Sequence, residues 1–192
     1  MTVLDAPGER LLAAVRRLLR EKGIATPEEI AERIALTDEA SPARGARMVA
    51  RAWTNPEFRE LMLRDGTLAA ESIGVQMRGL LPLGVLENTA ELHHLVVCTR
   101  CSCYPRAVLG YPPFWFKSAA YRARAVRDPR GVLAEWGTVL PVWTRIRVVD
   151  STADYRWMVL PRRPEGTDGW DEDRLAALVR EGDMIGVTVP GL

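Results

Sequence analysis

The chain has 192 residues, a length that fits one domain, or one domain with an arm. Lys plus Arg number 26 against 25 for Asp plus Glu, a balance that gives no sign of nucleic acid or a membrane surface as partner. No window approaches the ~18 uninterrupted apolar residues of a spanning helix, and residues 1–8 lack the basic run and apolar core of a secretory signal, so the expected location is the cytoplasm.

The first 75 residues read as helices. Over residues 9–22, Leu11, Leu12, Val15, Leu18 and Leu19 fall on one stripe at helical spacing, and Gly23 ends it. Thr26-Pro27-Glu28-Glu29 is a capping box with proline at the first helical position, predicting a helix through Leu36. Ser41-Pro42 and Asn55-Pro56 repeat that signal and open helices reaching about Thr54 and Gly74. Short helices with one narrow apolar stripe bury little alone, so residues 1–75 are expected to wrap a partner, with a compact helical bundle as the alternative.

After Gly74 the pattern changes. Residues 79–84 are punctuated by glycine and proline, and 85–87 and 92–97 read as strands. Residues 118–126 and 129–136 read as helices, the second capped by Asp128 with Pro129 behind it. Residues 145–149 alternate with period two and 155–160 do so less cleanly, predicting two more strands. Residues 166–169 form a turn, 171–180 a helix and 184–189 a terminal strand. The expected class is α+β: a helical arm over 1–75, then a mixed globular domain over 76–192 that carries the metal site.

All three cysteines of the chain fall within six residues, Cys98-Thr99-Arg100-Cys101-Ser102-Cys103. None is left to staple the fold or to complete a distant site, and three clustered thiols suit a reducing compartment. The spacing is too tight for a zinc knuckle built from two separate turns. Sulfurs of a Cys-X-Cys pair reach one ion only if the backbone curls around it, which turns the peptide nitrogens of Ser102 and Cys103 toward the same ion. An amide gives up its proton to ligate only a strongly Lewis-acidic, trivalent metal. This reading is three sulfurs and two amidates on cobalt or iron, with a sixth position open. Two readings compete with it on the residues alone: a disulfide within the motif or unrelated buried thiols, and a zinc site completed by His93 or His94. Neighbours on a strand point to opposite faces, so the two histidines cannot both address one ion.

The segment Val97-Cys98-Thr99-Arg100-Cys101-Ser102-Cys103-Tyr104-Pro105 resembles the metal-binding claw of the nitrile hydratase α-subunit family. Thr after the first cysteine and Tyr after the last are similar to the cobalt type. Family-like segments continue in order along the chain: Arg51-Ala52-Trp53, Glu87-Asn88-Thr89, Leu109-Gly110-Tyr111-Pro112-Pro113, Tyr121-Arg122-Ala123-Arg124, Asp128-Pro129-Arg130, Val159-Leu160-Pro161, Pro164-Glu165-Gly166-Thr167 and Met184-Ile185-Gly186-Val187. The resemblance implies a layered α-β-β-α fold and hydration of a nitrile to an amide at a non-corrin Co(III) centre, iron being the lesser alternative. It implies Cys98, Cys101 and Cys103 as sulfur ligands, with Ser102 and Cys103 adding backbone nitrogens. It further implies Cys101 as sulfinic acid and Cys103 as sulfenic acid, with Cys103 reactive and Ser102 orienting the claw. Gln76 corresponds to a glutamine near the family's channel, and His93 supports the fold without binding metal. The implied partners are a β subunit of one polypeptide or two, which supplies arginines to the oxidised sulfurs, a metallochaperone or activator for cobalt loading, and a small-molecule nitrile.

Three residues depart from the family pattern. Arg100 replaces a leucine inside the claw, Phe116 replaces a tyrosine, and Arg106 stands where nitrile hydratases carry a channel tryptophan. Thiocyanate hydrolase, a relative sharing the claw, has arginine at the place of Arg106, which suits an anionic or polar substrate. A polar or heteroaromatic nitrile such as toyocamycin is the first expectation, thiocyanate the second, and a non-catalytic metal carrier on the same fold the alternative of another class.

Overall fold

Prolines and their caps decide where the N-terminal helices start. In the computed structural model, which describes residues 6–101 and 103–191, α1 (Ala6–Glu21) is followed by Gly23 at φ 63°. Thr26 N then donates to Glu29 Oε2 at 2.7 Å and Glu29 N to Thr26 Oγ1 at 3.1 Å, a reciprocal cap that opens α2 (Pro27–Asp38). Pro42 begins α3 (Pro42–Thr54), and Asn55 Oδ1 accepts from Phe58 N at 2.9 Å to begin α4 (Pro56–Arg64). The single helix expected up to Gly74 is two. Asp65 adopts an extended backbone and its Oδ1 accepts from Leu68 N at 2.9 Å, starting α5 (Gly66–Ser72).

The chain divides into two compact units, the first ending at Glu39 and the second beginning at Ala40. Helices α1 and α2 make the first. Helices α3 to α5, expected within the arm, belong to the second, where Met48, Val49, Met62, Ala69 and Ala70 are fully buried.

The second unit is built on two pairs of parallel strands. β1 (Leu83–Glu87) pairs with β4 (Arg156–Leu160), Leu83 opposite Arg156 and Glu87 opposite Leu160. β2 (Leu92–Val97) pairs with β3 (Arg145–Asp150), Leu92 opposite Arg145 and Val97 opposite Asp150. The pairs pack through β2 against β4. Helices α4 and α5 cover β1, and α11 (Glu181–Ile185) covers β4 and β2. Helix α8 (Ala119–Arg127) packs on β2 and α9 (Pro129–Glu135) on β3. The layers therefore run α-β-β-α, an α+β fold as expected. Leu95, Val96 and Val97 are buried on both faces of β2, as a strand between covering layers requires.

Short helices close the structure: α6 (Arg106–Leu109), α7 (Phe114–Lys117) and α10 (Glu172–Ala176). The helix expected over 171–180 is only α10, capped by Asp171, whose Oδ1 accepts from Arg174 N at 2.8 Å. The strand expected over 184–189 is not formed. Asp183 is fully buried and its Oδ2 accepts from Arg180 N at 2.8 Å, which caps α11, and Gly186 ends that helix at φ 85°. Local capping outweighs the apolar run that reads as a strand.

Candidate metal centre

Strand β2 delivers the first thiol. Val97 ends the strand opposite Asp150, and Cys98 follows it into the loop, buried. The loop then turns back so that Cys98 Sγ lies 3.2 Å from Cys101 Sγ, and Cys101 Sγ 3.0 Å from Cys103 Sγ. Cys101 N donates to Cys98 Sγ at 3.3 Å, closing the turn. All three sulfurs lie within 4.8 Å of one another and none is in a disulfide. Among the described residues no other group of His, Cys, Asp or Glu converges in this way. Ser102, expected to ligate through its nitrogen and to orient the claw, lies outside the described residues.

The spacing is a test of what the thiols suit. Sulfurs about 2.3 Å from an ion stand roughly 3.3 Å apart at right angles and roughly 3.8 Å apart at tetrahedral angles. The observed 3.0 and 3.2 Å match the right-angled arrangement, which is that of a six-coordinate centre. Burial pushes the Cys103 thiol up to about 12, helped by its bonds to Cys101 and Cys98 and opposed by the Arg156 charge. A thiol held that high keeps its proton at neutral pH until a metal displaces it.

The loop is held from three sides. Thr99 N and Oγ1 donate to the two Asp150 oxygens at 3.0 and 2.5 Å. Arg122 Nη1 donates to Thr99 O at 3.3 Å, and Arg122 Nε is buried with no hydrogen-bond partner. Tyr121, its neighbour on α8, donates its hydroxyl to Val96 O at 2.8 Å. Beyond the last thiol, Tyr104 is buried, its ring edge-on to Phe116 at 5.0 Å and its hydroxyl donating to Glu181 Oε1. Burial, then the Glu181 bond, raises the Tyr104 phenol well above its ordinary value. Tyr104 packs the loop, as its aromatic character beside a strand leads one to expect.

The histidines are used elsewhere. His93 Nε2 donates to Gly186 O at 2.7 Å and its Nδ1 accepts from Asn88 Nδ2 at 3.1 Å. His94 N and Nδ1 donate to Asn88 Oδ1 at 2.7 and 3.3 Å. Burial, foremost, lowers both side chains below the ordinary 6.5. Gln76 is exposed in the turn after α5, where its Oε1 accepts from Arg78 N at 3.1 Å. Arg100 is exposed, and so is Arg106, whose guanidinium lies 5.4 Å from the centre of the Tyr111 ring.

A family model described as nitrile hydratase, alpha chain, matches residues 7–188. The chain belongs to that family. The low-molecular weight cobalt-containing nitrile hydratase subunit alpha of Rhodococcus rhodochrous is 48% identical over 178 residues, covering 92% of this chain and 86% of the relative. Thiocyanate hydrolase subunit gamma of Thiobacillus thioparus is 45% identical over 193 residues, covering 95% and 79%. Among solved structures, recombinant thiocyanate hydrolase with partially modified cobalt centres superposes at a TM-score of 0.87 and 43% identity, over 99% of this chain and 92% of the other. An Fe-type nitrile hydratase of Comamonas testosteroni Ni1, a double mutant, does so at 0.83 and 40%, over 98% and 92%. In this chain the family fold carries the three-cysteine loop and brings further residues to it. Asp150, Arg156 and Glu181 do not stand out in the sequence. Asp150 ends an alternating strand, but only the parallel register opposite Val97 shows that it meets Thr99.

Proposed function

We propose that this chain is the metal-bearing α subunit of a nitrile hydratase, converting a nitrile to its amide together with a β subunit. The convergence of all three thiols, with Cys101 3.2 and 3.0 Å from its two neighbours, in a chain of this family, carries the reading. Cys98, Cys101 and Cys103 would hold a non-corrin Co(III) ion, with the backbone nitrogens of Ser102 and Cys103 completing their side of it. When bound, the ion supplies Lewis acidity toward the nitrile nitrogen. Cys98, at the buried strand end, anchors the claw, while partly exposed Cys103, oxidised to sulfenate beside a Cys101 sulfinate, meets the substrate as nucleophile or base. Asp150 and Arg122 hold Thr99 so that the loop keeps its curl. Gln76 is proposed at the channel, and, of the helices of residues 1–75, α1 and α2 as the part that wraps β. Three clustered cysteines with no disulfide among them fit assembly in the reducing cytoplasm, with an activator loading the cobalt.

The exposed guanidinium of Arg106 favours a polar or heteroaromatic nitrile, toyocamycin being one, over a small aliphatic one. The same residue, with the likeness to thiocyanate hydrolase subunit gamma, supports a second reading in which the substrate is thiocyanate. Offering both substrates to the assembled complex separates them: amide from an aromatic nitrile is expected, whereas carbonyl sulfide from thiocyanate with no amide from the nitrile reverses the order. Metal analysis and the mass of the claw peptide test the centre. One cobalt per chain is expected, with oxygen on Cys101 and Cys103. Iron, zinc or an unmodified peptide in active enzyme would count against it.

A further inference from the structure

Both ends of the claw are referenced to strand β2. Cys98 follows Val97 directly, so the strand itself fixes the first sulfur. Cys103, five residues on, is followed by Tyr104, whose buried phenol donates to Glu181 Oε1. Glu181 is the first residue of α11, whose Met184 and Ile185 are fully buried and whose cap is closed by the buried Asp183. That helix ends at Gly186, and Gly186 O accepts from His93 Nε2 at 2.7 Å. His93 lies on β2. The path from Cys103 through Tyr104, Glu181, α11, Gly186 and His93 therefore returns to the strand that carries Cys98.

We infer that Glu181 is a positioning residue of the metal centre, fixing the Cys103 end of the claw relative to Cys98 by holding the Tyr104 hydroxyl. The carboxylate acts through the phenol. Phe116, edge-on to the Tyr104 ring, has no polar atom, so the bond to Glu181 is the directional contact that sets where the phenol oxygen sits. Outer groups of this kind tune a metal through its ligands.

The inference rests on the proposed cobalt centre and is tested in the assembled complex with the β subunit. Glu181→Ala, Tyr104→Phe, the double variant and Glu181→Gln are compared with the wild type for cobalt per chain, the sulfur-to-metal absorption band, kcat and KM on an aromatic nitrile, and thermal midpoint. Glu181→Ala and Tyr104→Phe are each expected to shift the band and to lower kcat between about 10- and 100-fold, with KM within about twofold. The double variant should be no worse than either single one, and Glu181→Gln, which keeps an acceptor at the same reach, should recover most of the loss. A lowered thermal midpoint with band and kcat unchanged would overturn the inference, since Glu181 would then brace the fold only. Losses that multiply in the double variant would overturn it as well. A wild type without cobalt would defeat the functional reading, and this inference with it, whereas a normal wild type beside silent Glu181 variants defeats the inference alone.

Discussion

Asn88 serves both histidines of β2 at once, accepting from His94 N and Nδ1 and donating to His93 Nδ1. It is 5% exposed, so its loss strands buried donors and acceptors that water does not reach. Asn88→Ala should cost about 2 kcal/mol or more in urea unfolding. The histidines themselves make stability depend on pH. Both are held neutral below their ordinary 6.5, by burial first and then, among opposing and assisting charges, by Arg130 near His93 and Arg147 near His94. The unfolded chain therefore binds more protons, and stability rises with pH. Their contribution is complete above the ordinary 6.5 and is lost as pH falls through the lower folded values. The urea midpoint should drop between about pH 7 and about pH 5, and a midpoint flat across that range would contradict the assignment. Gly186 is the other exacting position: at φ 85°, a Cβ there would collide with the His94 carbonyl oxygen. Gly186→Ala is expected to cost at least about 3 kcal/mol, read as a loss of soluble folded chain or of urea midpoint.

Helices here are defined more by their ends than by their faces. Asp128 Oδ1 accepts from Gly131 N at 2.9 Å with Pro129 behind it, starting α9. Asp128→Ala should lower stability by about 1 kcal/mol without changing cobalt content, which thermal unfolding and metal analysis check together. Such caps are legible because donor and acceptor stand three residues apart. Thr26, Asn55 and Asp128 were all readable for that reason. The cap at Asp65 was not, because Leu61, Met62 and Leu63 run into it without a proline to mark the break. The end of the chain misled for a related reason. Met184, Ile185 and Val187 look like a strand, yet Asp183 and Gly186 set a helix start and stop within five residues.

For the molecule as a whole, the claw and the surface proposed to meet β answer different questions. Cys98→Ser removes the buried thiol proposed as the anchoring ligand and should abolish cobalt binding in the assembled complex, with metal analysis as the measure. The stripe of α1 presents Leu11, Leu12, Val15 and Leu18 at 67%, 38%, 44% and 49% exposure, more apolar surface than a helix leaves in water without a reason. Residues 6–21 should therefore exchange amide hydrogens quickly in the isolated chain and slowly once β is bound. Fast exchange in both states would remove the wrapping role proposed for this segment.

The amino-acid order alone determined what depends on near neighbours: three thiols inside one six-residue window, helices begun at Thr26, Asn55 and Asp128, and the alternation of β3. Each is set by contacts within a few positions, where the chain has little freedom to lose. Tertiary structure alone decided which strands lie parallel, and which distant groups reach the claw. Asp150 meets Thr99 across 51 positions and Glu181 meets Tyr104 across 77. Bringing such ends together costs loop entropy that only the burial of the intervening layers offsets, so the partners of the metal loop are chosen by how the whole α-β-β-α stack closes.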